Sequence, residues 1–247
     1  MNGLRFWKDW TTDLRHRDRQ PELMDDPSLH EAAHRAALEG LRRINRISRS
    51  AAAVWRPIRQ LARERGGQPV TVLDIACGSG DVAIQIAKRA RSAGLLLQVE
   101  GCDISTVAIQ VARELAAREG LTDVTRFFCH DVVHDELPPY DVVMCLLFLH
   151  HLDDTGARRL LTRMKHAARQ LVLIDDLCRT RLGYLLAWWG SRLLTRSPVV
   201  HIDGPRSVRA AYRPQEALAL AESCGMTGAT IRRHWPQRFL LEWRPPA

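Results

Sequence analysis

The sequence predicts an α/β fold, a mostly parallel sheet with helices on both faces, and three observations carry that prediction. From residue 70 onward, short β-rich runs alternate with helical stretches. A turn, Ala76-Cys77-Gly78-Ser79-Gly80, separates the first run from the first helix of this alternation. The next two runs end at Asp103 and just before Asp131, which puts acids on the edge where parallel sheets bind ligands.

The elements follow in order. Residues 1–27 form a polar arm carrying Trp7 and Trp10, with one helical turn expected. Ser28 and Glu31 match a capping box and open a helix to about residue 47, with Leu38, Leu41, Ile44 and Ile47 at helical spacing. Helical character continues over 51–65, where Pro57 should kink the chain or start a new helix, and Gly66-Gly67-Gln68-Pro69 ends it. Strands are expected at 70–75, 95–102, 124–129, 141–147 and 171–174, with helices at 81–91, 105–119 and 155–168. Residues 179–212 interrupt the alternation with a helix over 182–194 and then a basic loop containing Pro and Gly. A helix at 214–224, stopped by Gly225, leads to strands 230–234 and 238–243, paired as a hairpin at the sheet edge. The chain thus divides into a helical N-terminal extension, 1–68, and an α/β domain, 69–247, with a lid insertion at about 179–212.

Composition narrows the class. The 247 residues are 46% hydrophobic, which supplies a sizeable core, and the formal net charge is +8. Arg42, Arg46, Arg49, Arg56, Arg59 and Arg63 recur through the extension; they suit a solvated face, or peripheral contact with an anionic membrane or an acidic carrier. Cys77, Cys102, Cys129, Cys145, Cys178 and Cys224 form no CxxC pair; the first five lie in or beside strand-like runs and read as reduced core residues. No metal is expected: Cys129-His130 with His134 comes closest to a ligand set, and its spacing is poor. The N-terminus lacks the features of a signal peptide, and no apolar run approaches the ~20 residues of a membrane span, so a cytoplasmic location is expected.

At the first turn, Gly78 and Gly80 permit a tight bend and let a ligand approach the backbone. Asp103 at the second strand's tip can accept hydrogen bonds from ribose hydroxyls, and Asp131 can accept from an adenine amino group. Helix capping or loop fixing is the competing role for both acids. Ala83 stands at the third position of a GxGxxA pattern, so the loop alone also admits a dinucleotide. Asp74, just before the loop, suits a cationic ligand better than a pyrophosphate.

Residues 70–176 resemble a class I S-adenosylmethionine methyltransferase. The matching segments are Leu73-Asp74-Ile75-Ala76-Cys77-Gly78-Ser79-Gly80, Cys102-Asp103-Ile104-Ser105, Cys129-His130-Asp131, and residues 141–152. The resemblance implies a Rossmann-like sheet of seven strands, six parallel and one antiparallel, and S-adenosylmethionine as cofactor. It implies that Asp74, Ala76, Gly78 and Gly80 line the methionine part, that Asp103 holds the ribose, and that Ile104 packs on the adenine. It further implies that Asp131 contacts the adenine edge with Val132 beside it, and that Leu146 offers a backbone carbonyl. Residues 21–27 with 41–46 resemble a bacterial subgroup that acts on polyketide, phenolic-lipid or quinone-like molecules.

The acceptor side should then lie between the ends of the fourth and fifth strands, the arm and the insertion. His150 and His151 follow the fourth strand; either could take a proton from a phenol or enol, with His150 preferred, and packing or capping is the competing role. Asp175-Asp176 follows the fifth strand as a candidate to orient the acceptor or a histidine; a buried acid pair is costly, so at least one should be bonded or exposed. Tyr184 and Trp188 share a helix face and, with Trp189, could cover an aromatic acceptor; Arg209 and Tyr212 are further substrate candidates. O-methylation of a small hydrophobic phenol or enol is the leading expectation, and C-methylation of a quinone-like ring follows it. A non-catalytic cofactor binder is a third reading. Nucleic acid is disfavoured, because no RNA-binding module is evident and Pro138-Pro139-Tyr140 precedes the fourth strand without a leading Asn or Asp.

Overall fold

Strand β1 (Val70–Ile75) is buried along its length except at Thr71, as a central strand covered on both faces must be. The computed structural model describes residues 13–26 and 28–246; Trp7 and Trp10 lie outside them. Strands β2 (Leu97–Asp103), β3 (Thr125–Cys129), β4 (Tyr140–Leu146), β5 (Ala168–Leu177), β6 (Thr230–His234) and β7 (Arg238–Trp243) complete one seven-stranded sheet of order β3-β2-β1-β4-β5-β7-β6. All pairings from β3 to β5 are parallel. Strand β7 runs antiparallel to both β5 and β6, so it is the one reversed strand, and β6–β7 is the expected edge hairpin.

Helices α1 (Glu31–Ile47) and α2 (Ser50–Glu64) precede the sheet; α3 (Asp81–Ser92), α4 (Thr106–Arg118), α5 (Asp154–Ala167) and α8 (Pro214–Ser223) flank it. Between β5 and α8 lie α6 (Arg181–Leu194) and α7 (Pro198–Ala210). Two cores result. Val70, Val72, Met144, Leu171 and Leu173 pack with Val54, Ile58, Ile86 and Ile109 on one face. Leu73, Ile75, Val143, Cys145 and Ile174 pack with Leu160, Leu161 and Ala221 on the other. The strand order turns back between β1 and β4, and the ligand crevice of such sheets opens at that point.

Three local expectations are corrected. Ser28 is not the cap of α1: Asp26 captures both its N–H and its hydroxyl at 2.8 and 2.7 Å, and His30 caps instead by accepting from Ala32 N–H. Pro57 does not break its helix. A proline leaves the carbonyl four residues earlier without its helical donor, and Arg232 donates to that carbonyl, of Ala53, at 3.1 Å. The expected basic loop after α6 is largely the helix α7, although it contains Gly204-Pro205; Arg192 reaches the carbonyl of His201, freed in the same way, at 3.5 Å. The cysteine expectation also needs one change: Cys102, Cys145 and Cys178 are buried, but Cys129 is exposed at the end of the edge strand β3.

Candidate active site

Two groups of polar side chains gather at the C-terminal ends of the parallel strands. The first surrounds the turn after β1. Ala76, Gly78 and Gly80 all have positive φ there (52°, 54° and 67°), which bends the chain sharply into α3. A Cβ on Gly78 would meet only Leu38, at 3.7 Å, so this position leaves an open cradle. Gly80 has a packing role as well: a Cβ there would come within 2.6 Å of the Phe127 ring. Asp103 accepts from the backbone N–H of Gly78 and of Ser105, each at 2.9 Å, and ties β2 to the turn.

Asp74 and Asp81 are buried, and one oxygen of each, Asp74 Oδ1 and Asp81 Oδ2, has no hydrogen-bond partner. Burial, with the charges of Asp81 and Asp103 added, pushes the Asp74 carboxyl well above its ordinary value. Burial likewise raises Asp81 to about 6, against hydrogen bonds from Asn45 and Ser79. Crowded, desolvated carboxylates with unpaired oxygens make a site for a cationic donor. Ile104, 72% exposed beside Asp103, offers a flat apolar surface next to it. Val132 and Leu146, the other two expected cofactor neighbours, are buried. Asp131 takes the capping role that was the alternative for it: its carboxylate accepts from the backbone N–H of Val133 and His134 and meets His134 Nδ1 at 2.8 Å.

The second group follows β4. A single turn, Leu149–His151, carries both histidines. His150 is 2% exposed; its Nδ1 meets Asp176 Oδ1 at 2.7 Å, and its backbone N–H donates to Asp176 Oδ2. His151 Nδ1 meets Asp25 Oδ2 at 2.7 Å. Glu22 of the arm stands between the two rings, 3.5 Å from His150 Nε2 and 3.6 Å from His151 Nε2. Burial disfavours charge on these groups, yet their mutual attraction prevails. It holds His150 up at about 10, through Asp176 first and then Glu22, and Glu22 down at about 2, through both histidines and Ser207.

The arm reaches this place because the insertion holds it. Asp203 of α7 accepts from the backbone N–H of Leu23 and Met24 at 2.9 and 3.0 Å, and Ser207 donates to Glu22 at 2.6 Å. Arg17 donates to the carbonyls of His150, Leu152 and Ala210. Several substrate candidates are occupied by these same contacts. Arg209 is paired with Asp18 of the arm, and the Tyr212 hydroxyl accepts from Arg17 and donates to Asp154. Asp175 lies on the other face of β5 from Asp176, bonded to His234 Nε2 at 2.5 Å and 3.1 Å from Arg238 Nε. Both acids of the pair are therefore buried, and both are partnered. Tyr184 is buried, Trp188 is half-buried with Arg192 stacked 3.9 Å from its ring centre, and Trp189 is 49% exposed, turned out from the cover expected of it. Glu22, Asp25 and Asp203 were not legible as site residues, because only the tertiary fold carries the arm to the histidines.

A family model described as a methyltransferase domain matches residues 72–170. A ubiquinone biosynthesis O-methyltransferase of Paraburkholderia phytofirmans is 28% identical over a segment covering 66% of this chain and 66% of that protein. Among solved structures, the S-adenosylmethionine-dependent methyltransferase SibL in its apo form is similar at a TM-score of 0.61 and 20% identity, covering 95% of this chain and 65% of that one. Magnesium protoporphyrin IX methyltransferase from Synechocystis, with S-adenosylhomocysteine bound, is similar at 0.57 and 17%, covering 99% and 95%.

Proposed function

From the membership of this chain in the class I S-adenosylmethionine-dependent methyltransferases, related to bacterial O-methyltransferases, we propose that it methylates an oxygen of a small hydrophobic phenol or enol. The observation that carries the choice of oxygen is the buried His150–Asp176 pair at the ends of β4 and β5, with His151 beside it.

The residues of the first turn fit the cofactor. Unpaired oxygens of Asp74 and Asp81 suit its ammonium end, the cradle at Gly78 admits its chain, and Asp103 with Ile104 suits its nucleoside. S-adenosylmethionine supplies an electrophilic methyl group on a sulfonium, so the protein's work is alignment and exclusion of water. Asp176 fixes the direction of His150 by holding Nδ1, and this leaves Nε2 to face Glu22 and the acceptor side. The histidine pair, held charged by its carboxylates, then orients the acceptor's oxygen and stabilises its anion, whose proton leaves to solvent before the methyl is transferred. Arg17 and Asp203 keep the arm closed over this network. A quinone-like phenol is the substrate class favoured by the ubiquinone-pathway relative. Among the described residues no helix is long and apolar enough to cross a membrane. The exposed Trp189, Leu193 and Ile202 beside Arg192 and Arg196 favour peripheral contact where such an acceptor is dissolved.

The test is incubation of the purified chain with methyl-labelled cofactor and a panel of phenolic lipids, polyketide phenols, quinols and RNA. Label on a phenolic oxygen is the expected result. Label on ring carbon moves the assignment to C-methylation, and label on RNA alone refutes the proposal. Tight cofactor binding with no label on any acceptor class refutes the O-methylation reading and favours a cofactor-binding protein.

A further inference from the structure

We propose that Glu22, His150 and His151 bind a first-row divalent metal ion of the zinc or cobalt type, with water or the acceptor's oxygen completing its coordination. The inference rests on the reading of this face as the acceptor side. It departs from the sequence expectation of no metal, which considered only ligands close together in the chain.

One donor atom from each of the three residues lies within 4.8 Å of the other two. The two acid–imidazole separations, 3.5 and 3.6 Å, are long for a charge-assisted hydrogen bond, which closes to about 2.7–2.9 Å. Each is close to the separation of two ligands on a tetrahedral ion, about 3.4 Å for metal bonds of about 2.1 Å, with Glu22 turning Oε1 to His150 and Oε2 to His151. Both histidines turn the same nitrogen, Nε2, toward Glu22, and both have Nδ1 held by a carboxylate at 2.7 Å, Asp176 for His150 and Asp25 for His151. Ser207 donates to Glu22 Oε1, the oxygen that faces His150, and so fixes the carboxylate's direction. Carboxylate-held imidazoles and a hydrogen-bonded acid are the supporting groups that metal ligands commonly have. Three carboxylates around two imidazoles carry an excess of negative charge, which a cation offsets when the imidazoles bind it in their neutral form. Two imidazole nitrogens with one carboxylate suit zinc, cobalt or iron better than calcium or magnesium. Three protein ligands leave a position for water or for an acceptor oxygen. Because Glu22 belongs to the arm, such an ion joins the arm directly to the turn after β4.

The experiment uses the full chain, stripped with a chelator and titrated with Co(II), with Zn(II) as competitor. Uptake of one equivalent, with a visible absorption band of low-coordinate Co(II) that Zn(II) abolishes, is expected. Glu22→Gln and His151→Gln should each weaken uptake by at least about 100-fold, and Asp25→Asn by roughly 10- to 100-fold. Cys129→Ser and His134→Gln, which remove an exposed thiol and an exposed imidazole outside the cluster, should bind as the parent does. Absence of stoichiometric uptake overturns the proposal, and so does uptake that survives both Glu22→Gln and His151→Gln. Glu22 lies outside the sheet, so its variant stays informative if a histidine variant fails to fold. Binding of S-adenosylhomocysteine to the stripped chain is measured in parallel. Cofactor binding without metal uptake removes the metal site and leaves the methyltransferase reading; metal uptake without cofactor binding does the reverse.

Discussion

Replacing Asp74 with Asn separates a ligand-binding role from a loop-fixing one, because the two predict opposite signs. In the unliganded chain Asp74 is 2% exposed, its Oδ1 is unpaired, and Asp81 and Asp103 repel it. Removing its charge at nearly constant volume therefore relieves repulsion, and the unliganded chain should unfold at equal or higher urea concentration. Cofactor binding should move the other way. A buried hydrogen bond to a charged group contributes about 1.5–3 kcal/mol, so the variant should bind S-adenosylhomocysteine roughly 10- to 150-fold more weakly. Calorimetric titration gives the affinity, and urea unfolding without ligand gives the stability. If Asp74→Asn costs the unliganded chain a kilocalorie or more while affinity holds, the carboxylate is a loop fastener and the cation-site argument is wrong.

Further outcomes follow from the same geometry. Cofactor affinity should fall as pH drops through about 6, because Asp81 titrates there and Asp74 is raised in the same direction; a cationic ligand favours the ionised acids, so binding should release protons, seen as a buffer-dependent heat. For the unliganded chain the sign is reversed: Asp81, raised above its ordinary value, holds its proton more tightly when folded, so its contribution to stability declines from about pH 4 to about 6. Gly80→Ala should destabilise by about 1–3 kcal/mol more than Gly78→Ala, because only the former drives a Cβ into Phe127; urea midpoints compare them. Asp203→Ala should raise KM and speed proteolysis within residues 13–26, since Leu23 and Met24 lose their acceptor; unchanged KM and cleavage would sink the idea that α7 holds the arm closed. Asp176→Asn should cut turnover and cost about 3–5 kcal/mol of stability by leaving His150 without its buried counter-charge.

The sheet was legible in the sequence because its signals are local. The run Val70–Ile75, the turn at Gly78 and the acid at Asp103 each announce themselves within a few residues, and parallel strands buried on both faces are continuously apolar. The same holds for His150 and for the hairpin 230–243. The insertion was harder, because Gly204-Pro205 breaks helices by local rule and its repair by Arg192 is a tertiary contact. Asp131 shows the limit of local reading: its place after β3 was readable and capping was one of its two expected roles, but its particular partners, Val133 and His134, appear only in the structure. Asp175 and Asp176 are adjacent in sequence, yet alternation along β5 sends them to opposite faces, one to Arg238 and one to His150.

That alternation separates the site into two chemical halves that the arm and α1 must bring under one cover. Asp74 alternates with Leu73 and Ile75 and so lies on the face packed by α2 and α3, where α1 supplies Leu38 over Gly78 and Asn45 beside Asp81. His150 lies with Asp176 on the side reached by Glu22. The arm segment that carries Glu22 precedes α1 in the chain, so on the proposed reading one part of the sequence covers both the cofactor half and the histidine half. Its hold on α7 through Asp203 and Ser207 is made of few bonds, three of them to buried side chains, and so small a set opens at lower cost than the sheet core. On the proposed reading, opening of this arm would admit both ligands. Loosening it at Asp203 should act on the affinities for cofactor and acceptor together, whereas changes at Asp74 or Asp176 should act on one alone.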